Sequence, residues 1–441
     1  MNKPRKLTSE GQKVRARLRK LMKASDPAIV VQACELMNTL RLEADMKMIL
    51  CDMLEGMTVS DAGQIDFARA DLWKRTKTQF RESLGWCILL FSGRLQELSA
   101  VELSFERPLV GVTVDELKDA VGKSVALKTL NLNRCPRLEN VDFLAESSSL
   151  IELNLRNSTL KNIEGIRKST RLRKLVVHAK KLDDLEPLSG MTELTELTLD
   201  DAVVEHLDEL KNCTKLQKFS LSRSAVVNLD ALAKCQQLQE LSLWSCTNIQ
   251  SVDALGECSQ LVTVNLGNCT SLTSVVSLNR LPKLSTLLLG GCVSLQGIDE
   301  LTELPSLSKL MLFGVPLHSL DAVLSFSNLI NFGFGGKAHP TKPSLPHTLH
   351  IEALLQLENL SELTISHFDQ LKDLQLLRNC RSLRVLSLNS CKALHSIDGI
   401  KNLPDLEYLK LHLCKSLPRH LRGSFKYFKE RSLQKLLQEL V

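Results

Sequence analysis

The sequence predicts an α/β solenoid, in which stacked repeats form an arc with a parallel β-sheet on its concave face. A helical N-terminal region and a C-terminal capping helix are expected at its ends. Three observations lead to this prediction. A 23-residue segment occurs three times in succession between Leu238 and Ser306. Apolar and polar residues alternate at the start of each copy, which indicates a short strand, and segments of helical periodicity lie before and after the repeats.

The three clearest copies read LQELSLWSCTNIQSVDALGECSQ, LVTVNLGNCTSLTSVVSLNRLPK and LSTLLLGGCVSLQGIDELTELPS. Counting the first leucine as offset 0, leucine or valine occupies offsets 0 and 3, leucine offset 5 and cysteine offset 8. A period this regular indicates one supersecondary structure stacked on the next. The pattern LxxLxLxxC resembles the leucine-rich-repeat signature, and the resemblance implies the fold of that family.

Related repeats cover most of the chain. A degenerate repeat begins at Leu98, and clear repeats begin at Leu127, Leu150, Leu172, Leu194, Leu216, Leu238, Leu261, Leu284, Leu307, Leu329, Leu360, Leu383 and Leu406. Successive starts are 22 or 23 residues apart, except for 29 after Leu98 and 31 after Leu329. Such a repeat leaves only about ten residues for the return path, which is too short for a long helix. We therefore expect extended or 3₁₀ segments on the convex side, similar to the short-repeat, internalin-like subclass.

Residues 1–97 precede the repeats and are assigned to a basic helical N-terminal region and cap. Residues 1–25 carry nine Lys or Arg and one acid, so this segment alone is +8 and the rest of the chain about −2 of the net +6. The cations of this basic arm surround an apolar helical face. They are Lys13, Arg15, Arg17, Arg19, Lys20 and Lys23.

The basic arm has three interpretations. It is a solvated face of a capping helix, a contact for nucleic acid or anionic lipid, or an amphipathic peptide that targets the chain to an organelle. The segment RLRKLMKASDPAIVVQACELMNTL resembles the short helical region before the repeats of many cytoplasmic bacterial leucine-rich-repeat proteins. That resemblance implies a cytoplasmic location, and organelle targeting is the alternative.

The chain contains 13 cysteines, and their odd number favours reduced thiols and an intracellular compartment. Six lie at offset 8 of a repeat, and four lie three residues before the next repeat. A position set by the repeat is a packing position, where cysteine acts as a small buried apolar residue. The sequence contains no C-x-x-C pair, and we predict neither a metal nor a cofactor.

The solenoid is assigned to residues 98–420 and is interrupted by an insertion at 335–350, GGKAHPTKPSLPHTLH. A long Gly- and Pro-containing loop inside a regular array often carries function, so the insertion either binds a partner or covers the concave face. Residues 421–441 are predicted to form the helix that covers the core of the last repeat.

Offsets 2, 4, 6 and 7 of each strand are predicted to face solvent, which defines candidate partner-binding residues. Four of them form an apolar strip: Trp244, Leu288, Met311 and Phe313. Asn265 and Glu240 are polar neighbours of the strip. Glycines on adjacent repeats leave the surface beside it without side chains. An exposed apolar patch with an aromatic anchor and a polar rim is typical of a protein-binding surface. The alternative is that the insertion or a neighbouring side chain covers the strip.

Several function classes find no support in the sequence. It shows no Ser-His-Asp or Cys-His arrangement, no phosphate-binding glycine loop and no metal-ligand helix motif, so catalytic residues are not assigned. No apolar run approaches the length needed to span a bilayer. We predict a non-enzymatic, monomeric scaffold or adaptor that binds a partner protein on its concave face. The alternative is a nucleic-acid-associated factor that contacts phosphates through its basic arm.

Overall fold

A computed structural model describes residues 8–22, 58–59, 65–66, 100–102, 118, 121–122, 127–132, 138–156, 159–336, 349, 351–418 and 421. They belong to two compact units, Met1–Leu194 and Thr195–Val441, called here the N-terminal and the C-terminal unit. The predicted helices after residue 22, the insertion residues 337–348 and 350, and the capping helix beyond Leu421 lie outside the described residues.

The N-terminal unit begins with helix α1, Ser9–Met22, in the basic segment. The backbone N–H of Gly11 donates to Thr8 Oγ1 at 3.0 Å, which satisfies one of the free donors at the start of the helix. Two short strands follow, β1 (Thr58–Val59) and β2 (Ile65–Asp66), and they pair antiparallel. Both strands lie between predicted helices of the region 1–97, where no element was predicted, and their β-branched residues Thr58, Val59 and Ile65 favour extended backbone.

Four strands of the N-terminal unit pair in parallel, each with the next along the chain. They are β3 (Ala100–Glu102), β4 (Thr129–Asn131), β5 (Glu152–Leu155) and β6 (Lys174–His178). Leucines at equal offsets lie side by side, as Leu130 does with Leu153 and Leu153 with Leu175. Their side chains are buried, because inward and outward positions alternate along a strand.

The C-terminal unit contains ten further strands, which also pair in parallel in chain order. They are β7 (Glu196–Asp200), β8 (Lys218–Ser222), β9 (Glu240–Ser242), β10 (Thr263–Asn265), β11 (Thr286–Leu288), β12 (Lys309–Phe313), β13 (Asn331–Gly335), β14 (Glu362–Ser366), β15 (Val385–Asn389) and β16 (Tyr408–His412). The predicted parallel sheet is confirmed.

Short 3₁₀ helices form the return path of most described repeats. In the N-terminal unit they are Asp142–Leu144, Glu164–Ile166 and Glu186–Leu188. In the C-terminal unit they are Asp208–Asn212, Asp230–Lys234, Asp253–Glu257, Val276–Arg280, Asp321–Ser325, Glu352–Gln356, Gln375–Leu377 and Asp398–Asn402. A side-chain oxygen two residues earlier often accepts the first helical N–H, as Ser251 Oγ does from Asp253 at 3.0 Å.

The core of the C-terminal unit consists of repeated leucines supplemented by cysteines and phenylalanines. The nine cysteines among the described residues are all free and buried. Eight of these thiols donate to carbonyls of the preceding repeat, as Cys269 Sγ does to the Leu243 carbonyl at 3.1 Å. In the repeat that carries the insertion, Phe332 and Phe334 replace the inward leucines and stack with ring centroids 5.4 Å apart. Larger side chains thus fill the core where the repeat is irregular.

Candidate functional site

The predicted partner-binding residues all lie on the solvent-facing side of consecutive strands in the C-terminal unit. Trp244 is 39% exposed, although it lies just beyond the end of β9 rather than within the strand. The remaining predicted residues are Glu240, which is exposed, and Asn265, Leu288, Met311 and Phe313, which are partly exposed.

The Trp244 indole is held between two neighbouring repeats. The Arg223 guanidinium lies over the ring, 5.3 Å from its centroid, and donates from Nε to Asp201 Oδ1. This hydrogen bond raises the pKa of Arg223. On the other side, a Cβ atom added to Gly267 would lie 3.0 Å from Trp244 Cδ1, so the indole rests against a backbone without a side chain. The cation–π contact and the glycine together define the orientation of the ring.

Met311 and Phe313 meet in a similar way over the next strand. A Cβ added to Gly333 would lie 2.6 Å from Met311 Sδ and 2.6 Å from Phe313 Cζ. Both side chains therefore lie on Gly333, where a thioether and an aromatic ring can make a favourable contact. This packing explains why the two residues are only partly exposed on a face that sequence analysis expected to be open.

The two aromatic residues belong to a single row that crosses the strands at offset 6. Backbone hydrogen bonds place Trp244, Gly267, Gly290 and Phe313 on successive strands, since Ser245 N–H donates to Gly267 O at 2.7 Å and equivalent bonds reach the next two. With a strand spacing of about 4.8 Å, the Cα atoms of Trp244 and Phe313 are about 14 Å apart. The row therefore presents two aromatic side chains separated by two glycines.

The residue after this row, at offset 7, has a left-handed backbone conformation in most repeats of the C-terminal unit. The φ angle is +54° at Arg223, +61° at Asn268 and +84° at Gly291. Other members of the set are Asp201, Ser245, Gly314, His367, Ser390 and Leu413. This conformation turns the chain away from the sheet, and its N–H still pairs with the next strand.

An uncharged patch surrounds the aromatic row. We define it as offsets 4 to 7 of seven repeats, residues 242–245, 265–268, 288–291, 311–314, 333–336, 364–367 and 387–390, which contain no Asp, Glu, Lys or Arg. Charged side chains lie at its borders, including Arg223 and Glu240 on one side and Lys410 on the other. An uncharged partner segment can cover this patch without needing an ion pair. A charged segment would lose its hydration there and would find no opposite charge within the patch.

A shallow depression of about 460 Å³ lies within the uncharged patch. Its lining includes Phe313, Gly290 and Gly291. The glycines and the aromatic residue of this lining are visible in the sequence, because glycines occur at offsets 6 and 7 next to aromatic residues. The stacking of Arg223 on Trp244 had no comparable signal.

The basic arm is only partly described. On α1, Lys13, Arg17 and Lys20 are exposed and Arg15 is partly buried, while the Arg19 side chain and Lys23 lie outside the described residues. Across the ranges that the structure describes, no three His, Cys, Asp or Glu residues are grouped so that they could hold a metal ion. Within the same ranges, no helix is both long and apolar enough to cross a membrane.

Comparisons with known proteins identify the fold. No protein-family model and no curated protein sequence matches the chain. An internalin of Listeria monocytogenes is similar in structure, with a TM-score of 0.58 and 17% identity over 75% of this chain and 94% of the other. A leucine-rich-repeat protein of Leptospira interrogans has a TM-score of 0.53 and 18% identity over 79% of this chain and 90% of the other. The chain therefore has an internalin-like leucine-rich-repeat fold.

Proposed function

We propose that this leucine-rich-repeat chain is a non-enzymatic protein-binding module that holds an extended, uncharged segment of a partner protein. The segment lies across β9–β13, on the face that sequence analysis assigns to the concave side. The observation that carries the proposal is the row in which Trp244 and Phe313 are separated by Gly267 and Gly290. Large apolar anchors on a locally flat, uncharged surface are the usual centre of a protein interface.

The environment of Trp244 favours binding because the ring is already oriented. Arg223 lies over the indole and Gly267 lies against it, so little rotamer freedom remains to be lost when a partner binds. Met311 and Phe313 are restrained in the same way by their contacts over Gly333. Side chains that are ordered before binding reduce the entropic cost of association.

The spacing of the anchors predicts the pattern of the bound segment. The two anchors are about 14 Å apart, and an extended chain advances about 3.4 Å per residue, so they match side chains about four residues apart. Residues i and i+4 of a strand point to the same side. We therefore expect a partner segment with two apolar residues at this spacing and no charge between them.

The test begins with selection of binding peptides from a random display library, using the full chain as bait. Affinities of the selected peptides are then measured for the Trp244→Ala and Phe313→Ala variants. Each substitution is expected to weaken binding by about thirtyfold, since truncation of an interface anchor costs about 2 kcal/mol. Tyr408→Ala is the matched control, because Tyr408 is an aromatic residue of similar exposure, 38%, on β16.

Two results would contradict the proposal. The first is that selected peptides bind the double variant of Trp244 and Phe313 as tightly as the unchanged chain, with the fold retained by circular dichroism. The second is that the selected peptides lack the spacing of two apolar residues and are enriched in charge.

The alternative function, phosphate contact by the basic arm, is supported by the exposure of Lys13, Arg17 and Lys20 on α1. It is distinguished by salt, because binding to duplex nucleic acid through these cations would weaken steeply with ionic strength and would be lost in a chain without residues 1–25. Peptide binding on the uncharged patch would persist at moderate salt.

A further inference from the structure

The depression in the uncharged patch is large enough to hold a small ligand. It lies at the carboxyl ends of β10–β15, and its volume of about 460 Å³ falls within the range of about 300–1,000 Å³ that is typical of ligand pockets. Gly290, Gly291 and Gly336 line it without side chains, and of these Gly290 is partly exposed, as is Phe313 beside it. A ligand can therefore approach the backbone closely while it touches an aromatic ring.

Side chains that can form hydrogen bonds complete the lining. Asn389 Nδ2 donates to Ser366 Oγ at 3.2 Å, which leaves the Asn389 Oδ1 acceptor and the Ser366 hydroxyl hydrogen for a ligand. In the described part of the chain, the Asn268 amide, the Thr364 hydroxyl and the His367 ring form no hydrogen bond. These groups can donate as well as accept.

The combination is selective for one kind of ligand. A sugar ring presents C–H groups to an aromatic face and hydroxyls, each both donor and acceptor, around its edge. Among the described residues, the lining contains no Asp, Glu, Lys or Arg, so an anionic or cationic ligand would lose its hydration without gaining an ion pair there. An apolar ligand would leave the amide and hydroxyl groups of Asn268 and Thr364 unsatisfied.

We propose that this depression binds a neutral pyranose sugar, with one face of the ring against Phe313 and its hydroxyls hydrogen-bonded to Asn268, Ser366 and Asn389. The sugar belongs either to a free oligosaccharide or to a glycan on a partner protein. This site goes beyond the proposed binding of a peptide segment. It shares Phe313 with that function but does not involve Trp244.

Saturation-transfer difference NMR on the full chain tests the proposal. The probes are a panel of neutral disaccharides built from glucose, galactose, mannose and N-acetylglucosamine, with glucuronate and glucose 6-phosphate as charged counterparts. At least one neutral sugar is expected to receive saturation, and the charged sugars are expected to receive none. To separate the two sources, a glycoprotein that carries the binding sugar is compared before and after enzymatic removal of its glycans.

Variants locate the binding site. Gly290→Leu is expected to abolish binding, because its side chain fills the depression while the new Cβ meets no atom closer than 3.6 Å. Asn389→Ala is expected to weaken binding about tenfold, because it removes the Asn389 amide and also the hydrogen bond that orients the Ser366 hydroxyl. Phe313→Leu is expected to weaken binding and Phe313→Tyr to preserve it. Trp244→Ala is the control, and it is expected to weaken peptide binding while sugar binding is unchanged.

Three outcomes would overturn the proposal. Absence of saturation for every neutral sugar is one, and equal saturation of Gly290→Leu and the unchanged chain is another. The third is competition for the depression by the selected peptides alone, which would assign it to a peptide side chain. The Asn389→Ala variant tests sugar binding and the Trp244→Ala variant tests peptide binding. Failure of one proposed function therefore does not imply failure of the other.

Discussion

The buried thiol of Cys246 predicts a loss of stability in alkali. This residue lies at offset 8, is 0% exposed, and contacts the Leu221 carbonyl through Sγ at 3.6 Å. Burial disfavours the thiolate and raises the pKa of Cys246 from 9.0 to about 11. In the unfolded chain the thiol returns to its ordinary pKa, so the two states titrate in different pH ranges.

The sign and size of the effect follow from this difference. Below about pH 9 the thiol is protonated in both states and its contribution to stability is fully present. As the pH rises from about 9 to about 11, the unfolded chain releases the proton first, so the free energy of unfolding falls. A pH of about 10.5 lies about 1.5 units above the pKa of the unfolded thiol. This difference lowers the free energy of unfolding by about 2 kcal/mol.

The Cys246→Ala variant isolates this contribution. Unfolding in urea is followed by circular dichroism under reducing conditions at about pH 7.5 and about pH 10.5. The unchanged chain is expected to lose about 2 kcal/mol more than the variant between these two pH values. The cavity left by alanine costs about 1 kcal/mol at both pH values, so it cancels in the comparison.

Val315→Ala provides a matched control, because Val315 occupies the same offset, is equally buried and has no ionisable group. It is expected to lower stability at both pH values without changing the pH dependence. Equal pH dependence in Cys246→Ala and the unchanged chain would refute the reasoning, as would a reduced pH dependence in Val315→Ala.

Two further predictions concern the row of aromatic residues and glycines. Gly291→Ala is expected to lower the free energy of unfolding by about 1 kcal/mol because its φ of +84° disfavours a side chain, whereas Gly290→Ala should change it little; equal effects in urea unfolding would contradict this. Arg223→Ala is expected to lower the free energy of unfolding by about 1 kcal/mol at low salt, and by less at high salt, because the contacts with the Asp201 carboxylate and the Trp244 indole are lost. Arg384→Ala loses only an exposed ion pair with a carboxylate and should lower it less.

The repeat period was sufficient to predict the sheet, because inward and outward positions depend only on sequence spacing. Leu266 and Cys269 are buried and Trp244 is exposed, in agreement with their offsets. The direction in which an exposed side chain lies depends on its neighbours in space. For this reason, neither the contact of Trp244 with Arg223 nor the packing of Met311 and Phe313 against Gly333 could be predicted. The strands β1 and β2 were missed because two-residue strands show no periodicity.

The partner-binding assignments of Trp244, Leu288, Met311, Phe313, Asn265 and Glu240 remain predictions. Their exposure and mutual packing are compatible with binding, and the variants described above are designed to test it. The insertion at 335–350 also remains a prediction for the residues that the structure does not describe. Its first two residues, Gly335 and Gly336, are buried at the end of β13.

The residue with a left-handed backbone conformation at offset 7 can vary in its side chain without a change in the fold. Asp201, Arg223, Asn268 and His367 share this backbone conformation, and Leu413 adopts it although its side chain is branched, apolar and 57% exposed. Since the turn accepts such different side chains, its backbone geometry is determined by the neighbouring strands. The fold thus offers a line of positions, one per repeat, at which evolution or protein engineering can rewrite ligand preference without altering the core.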